Sequence, residues 1–139
     1  MLHLPPDLVA QIEDHAREAY PNECCGLLIG TADEGAFTID EVAPSPNLAD
    51  NPATQFEVDM RLRLRLQRDL RGTGRAIIGH YHSHPDGPPR PSRRDLDKAW
   101  EHGLVWLILG IQRGTACTMG AFHYSDDARA FAPLHIDHG

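Results

Sequence analysis

The run GHYHSHPDGPPRPSRRD, residues 79–95, places three histidines at alternate positions and follows them with prolines, a serine and an aspartate. In a strand, alternate side chains share a face, so His80, His82 and His84 are expected to point the same way. Two imidazoles spaced i, i+2 at a strand end can meet one ion. Pro85 favours an extended His84 and lacks an N–H, so the ladder is expected to stop there. The DGPPRP loop then turns the chain back, and its prolines lower the entropy lost on ordering. Ser92 is placed to cap a helix, with Asp95 on its first turn. Two nitrogens and one oxygen from His82, His84 and Asp95 suit Zn²⁺, at about 2.0–2.2 Å. Three protein ligands leave one tetrahedral position for water, the mark of a catalytic site. Alternatives stand beside this reading. Histidines also sit in strands as satisfied polar groups, and Ser92-x-x-Asp95 is close to a capping box. One Asp95 oxygen is not expected to serve both cap and metal, and the metal is favoured.

Hydrolysis at a zinc site also needs a group that moves protons. Glu23 is the candidate base, between Pro21 and the apolar run CGLLIG. Spacing alone does not bring it to the histidines, and a glutamate there can equally be a loop residue.

The elements that must position these groups are read from periodicity. Leu8, Ile12, His15, Ala16 and Ala19 recur at helical spacing after Pro5 and Pro6, and Pro21 ends that helix. CGLLIG (25–30) reads as a buried strand, FTIDEVA (37–43) as an alternating strand, and 44–55 as an exposed loop. RLRLRL alternates as a strand would. Yet Leu62, Leu66 and Leu70 fall four apart, Asp59 is placed as N-cap, and Arg, Leu and Gln favour helix, so a helix is expected over 60–71. AIIGHYHSH (76–84), LVWLILGI (104–111) and TACTMGAFHY (115–124) read as strands, the last two as a hairpin, with a helix over 92–103. FAPLHI can add an edge strand. The expected fold class is α/β: a single domain over 1–139, core about 5–125, with a mixed β-sheet flanked by two or three helices.

Composition sets the limits. The 139 residues carry a net charge of −7 and 41% hydrophobic residues. That suffices for one core and disfavours a nucleic-acid grip. The arginines of 61–75 read as a solvated helix face. No apolar run approaches the ~20 residues of a membrane span, and the N-terminus does not resemble a signal peptide. The odd number of cysteines (Cys24, Cys25 and Cys117) argues against a disulfide framework, so a cytoplasmic location is expected.

PNECCGLLIG followed by GHYHSHPDGPPRPSRRD resembles the JAMM (JAB/MPN+) zinc metallopeptidase family, whose fold is cytidine-deaminase-like. The resemblance covers about residues 5–125. It implies that His82, His84 and Asp95 hold one catalytic zinc with its water, that Glu23 is general base and acid, and that Ser92 helps hold the water or the tetrahedral oxyanion. P-x-E-x-C-G with Y-H-S-H is most similar to the compact bacterial branch acting on ubiquitin-like sulfur-carrier proteins. It therefore implies a protein substrate with an extended C-terminal tail, which can pair with an exposed strand edge near the site. His80, where relatives have an aromatic or apolar residue, is expected to pack beside the ligands. Other readings are a thiol hydrolase using Cys24 or Cys25, a non-catalytic MPN-type scaffold and a RadC-like protein. The scaffold predicts a missing ligand or base, whereas all four positions are filled. The Glu23 block, and the lack of an added helical DNA-binding domain, count against RadC.

Overall fold

Pro5 and Pro6 fix the entry to the first helix. A short strand β1 (Leu2–His3) precedes them, and α1 (Pro6–Ala19) follows with Pro6 at its start, where the missing N–H costs nothing. The structure is a computed structural model describing residues 1–97, 104–125 and 129–139. Leu8, Ile12 and Ala16 form the buried stripe of α1, and burying a leucine or isoleucine side chain contributes about 1.5–3 kcal/mol.

The apolar run after Glu23 becomes β2 (Cys25–Asp33), which turns back into β3 (Ala36–Ser45). Glu34 and Gly35 both have positive φ, 47° and 82°, as a two-residue hairpin turn of the right twist requires. After α2 (Met60–Leu70), β4 (Ala76–Pro85) runs antiparallel to β2. A crossover containing α3 (Arg93–Asp97) leads to β5 (Val105–Gln112), parallel to β4, and β5 forms a hairpin with β6 (Ala116–Ser125). The helix expected over 92–103 is seen as α3; residues 98–103 lie outside the described residues.

The tail supplies two strands, β7 (Ala130–Leu134) beside β6 and β8 (Ile136–Asp137) beside β1. The sheet order is β7-β6-β5-β4-β2-β3-β1-β8. Only His135 separates β7 from β8, though they stand at opposite ends of that order, so the sheet curls until its ends meet. Phe37 on β3 and His123 on β6 accordingly touch, with ring centroids 5.5 Å apart. The sheet is mixed, as expected, and α1 packs against the face that carries Leu28, Tyr81, Leu107 and Leu109. The opposite face carries His80, His82 and Trp106, and α2 contacts β4.

Close approach of β4 and β5 depends on Gly79, where a Cβ would meet the Val105 carbonyl oxygen at 2.3 Å. Gly79→Ala is expected to destabilise the protein by about 1–3 kcal/mol through overpacking, read as a lower urea midpoint.

Candidate metal centre

Strand pairing sets the level of the site. Cys25 stands opposite His82, so Glu23 emerges just beyond the start of β2, level with the histidine-bearing end of β4. Ser83 locks this junction: its N–H donates to Cys24 O (3.1 Å), and its Oγ accepts from Cys24 N–H (2.8 Å). Glu23 N–H donates to Pro52 O at 2.8 Å, and the Glu23 carboxylate belongs to a buried side chain. One carboxylate oxygen of Glu23 and one ring nitrogen each of His82 and His84 lie within 4.8 Å of one another.

The tightest cluster adds Asp95. His82 Nε2 and His84 Nε2 are 3.1 Å apart; Asp95 Oδ2 is 3.1 Å from His84 Nε2 and 3.3 Å from His82 Nε2. His82 and Asp95 are buried, and His84 is partly so. His84 Nδ1–H donates to Pro88 O at 2.9 Å. A carbonyl only accepts, so this bond assigns the tautomer and leaves a lone pair on Nε2 of neutral His84. His82 Nε2 and Asp95 Oδ2 face that lone pair at hydrogen-bond distance, so a proton or a metal ion must sit among the three. In a tetrahedral zinc site, bonds of about 2.0–2.1 Å set neighbouring donors about 3.3 Å apart. The three separations here are 3.1, 3.1 and 3.3 Å, so the donor set fits a metal ion.

Burial opposes charge on His84, but Asp95 and the Pro88 carbonyl outweigh it and hold the imidazolium above its ordinary value. Burial likewise disfavours the Asp95 carboxylate, yet His82, His84 and the Ser92 N–H hold its acid far below the usual range. Asp95 uses for the cap the same oxygen that it turns to the histidines. Ser92 N–H donates to the same Oδ2 at 2.8 Å, while Ser92 Oγ accepts from Asp95 N–H at 3.1 Å. A carboxylate oxygen has lone pairs for both tasks, so the capping bonds aim Asp95 at the histidines. Ser92 is exposed beside this cluster.

His80 shares the face but packs instead. Its ring meets Trp106 edge-on with centroids 4.3 Å apart, and burial drives its pKa down to about 3, so it stays neutral. Burial pushes the Cys24 thiol up to about 11 and the Cys25 thiol up to about 12, so neither is an activated nucleophile. β2 and β4 are each paired on both sides.

Three supports had no signature in the sequence. Phe56 stacks on His82 (centroids 4.2 Å apart, 14° between planes), Pro88 O orients His84, and Asn47 Nδ2 donates to Glu23 O at 3.0 Å. Phe56 and Asn47 belong to the connection read as an exposed loop, or its margin, and a backbone carbonyl leaves no trace in residue type.

Comparison with known proteins gives consistent results. The profile described as prokaryotic homologs of the JAB domain matches residues 5–122. A "Desampylase" from Haloferax volcanii is 35% identical over 111 residues, covering 77% of this chain and 78% of that protein. A "CysO-cysteine peptidase" from Mycobacterium tuberculosis is 26% identical over 136 residues, 98% of this chain and 91% of the other. A solution structure of a Desulfitobacterium hafniense protein superposes with a TM-score of 0.85 at 32% identity, covering 99% and 92% of the two chains.

Proposed function

Since the chain belongs to the family of prokaryotic homologs of the JAB domain, we propose that it is a zinc metallopeptidase cleaving an amide bond at the C-terminal tail of a ubiquitin-like or sulfur-carrier protein. The convergence of His82 Nε2, His84 Nε2 and Asp95 Oδ2 within 3.1–3.3 Å, with the Glu23 carboxylate beside them, carries this reading. The relatives named desampylase and CysO-cysteine peptidase support the substrate class.

His82, His84 and Asp95 would hold the ion. When bound, zinc supplies Lewis acidity and lowers the pKa of water toward ~7. The chain's own residues do the rest. Glu23 takes the proton of the attacking water and returns it to the leaving nitrogen, which would otherwise depart as an unstable amide anion. Ser92 Oγ, already an acceptor from Asp95 N–H, keeps its own hydrogen for the developing oxyanion. Pro88 O and Phe56 hold the two imidazoles in place. No helix among the described residues is long and apolar enough to cross a membrane. Three unpaired cysteines suit a reducing compartment, and on that ground we propose a cytoplasmic reaction.

The test is metal analysis beside cleavage of a panel of β-grasp proteins carrying C-terminal amide conjugates. We expect one zinc per chain, and cleavage abolished by chelator and restored by zinc. Iodoacetamide should leave the rate unchanged, because both buried thiols stay protonated at neutral pH. Chelator-resistant, thiol-sensitive cleavage would replace the metal reading with a cysteine mechanism.

A further inference from the structure

Glu23 lies outside the β2 ladder, which begins at Cys25. Its main chain is therefore not fixed by sheet pairing and must be held by other means. The connection between β3 and α2 does this, and one side chain organises that connection. Asn47 Nδ2 donates to Glu23 O at 3.0 Å and to Gln55 O at 2.9 Å; its Oδ1 accepts from Ala49 N–H at 3.1 Å and Glu57 N–H at 3.0 Å. An asparagine amide offers two donor hydrogens and an oxygen with two lone pairs, and all of them are used. The bonds to Gln55 and Glu57 bracket the Phe56 ring that lies on His82. The backbone bond from Glu23 N–H to Pro52 O joins Glu23 to the same connection.

We propose that Asn47 is a positioning residue for the proton-carrying carboxylate: it fixes the Glu23 main chain, and through it the reach of the side chain to the attacking water. The inference rests on the reading of Glu23 as the proton carrier. Asn47 touches Glu23 directly and reaches the metal-facing side chains only at one remove, through the Phe56 ring. Asn47 bonds none of the three close-set donors, and each of these has its own support: Phe56 on His82, Pro88 O on His84 and the Ser92 cap on Asp95. A reacting group displaced by about 1 Å loses on the order of 10²-fold in rate, so loosening Glu23 lowers turnover rather than substrate affinity.

The variants are Asn47→Ala, which removes all four bonds, and Asn47→Asp, which keeps the oxygen facing Ala49 and Glu57 but removes the donors to Glu23 and Gln55. The second keeps the test open if the first fails to fold. Each is combined with Glu23→Gln, and release of the conjugated group from a β-grasp fusion is followed with enzyme in excess as well as at steady state. For Asn47→Asp we expect kcat to fall about 10- to 100-fold, KM to stay within about twofold and zinc content to be unchanged. The double variant should be no slower than Glu23→Gln alone, because two changes acting through one group do not add. A raised KM at constant kcat, lost zinc, or rate losses that multiply in the double variant would each overturn the assignment. If Glu23→Gln is impaired while Asn47→Asp is not, the positioning role alone falls. If Glu23→Gln turns over at the parent rate, the reading of Glu23 itself falls.

Discussion

Glu23→Gln is expected to keep its zinc and lose about 10²–10⁴-fold in turnover, the range that a positioned acid–base group supplies. The amide has nearly the shape of the carboxylate, and the two backbone bonds that hold residue 23, to Pro52 O and from Asn47 Nδ2, do not involve the side chain. The fold and the His82, His84 and Asp95 cluster therefore survive. What disappears is a group able to accept the proton of water and hand it to nitrogen. The check is metal content measured on the same preparation as release of the leaving group. Full activity with full metal would remove Glu23 from the mechanism.

His82→Ala should have the largest effect on metal content. Its Nε2 is one of the three close-set atoms proposed to hold the ion, and the side chain is completely buried under Phe56. Losing an outer partner of a metal ligand already costs about 10–100-fold in affinity, and losing the ligand itself should cost more than that. The substitution also empties space beneath the Phe56 ring, so a lower melting temperature should accompany the loss. Zinc measured after dialysis against a weak chelator reads the effect. Parent-like occupancy would mean that the ligand assignment is wrong.

The apolar run of β2, the alternation of β3, the histidine spacing on β4, the hairpin of β5 and β6, and the stripe on α1 were legible because each is a local pattern answering to one packing surface. The α2 segment shows what decides between conflicting patterns. Leu64 belongs to the strand-like alternation and is 57% exposed, while Leu70, on the four-residue spacing, is buried, and Asp59 accepts from Arg61 N–H as a cap. β8 left no mark, since a strand of two residues has no period. In the site, His82, His84 and Asp95 were legible because they lie on one strand and the turn of helix after it. Glu23 was named as a candidate from its place before an apolar strand, but its approach to the histidines was implied only by the resemblance, because that approach depends on the pairing of Cys25 with His82. Asn47 and Phe56 stayed hidden because they act from a connection whose shape is made by their own hydrogen bonds and ring contacts.

The seam between the two ends of the sheet bears on how the chain folds. Leu2 and Leu4 donate their amides to the carbonyls of His135 and Asp137, so these bonds close loops running from residue 2 to 135 and from residue 4 to 137. Loop closure of that span is slow relative to hairpin formation. During synthesis, β2 to β6 and all the groups around the metal site are available before the residues that complete the seam. The contacts of β1 with β8 should therefore be the last to form, after β2 and β4, which bring Cys25 level with His82, have paired.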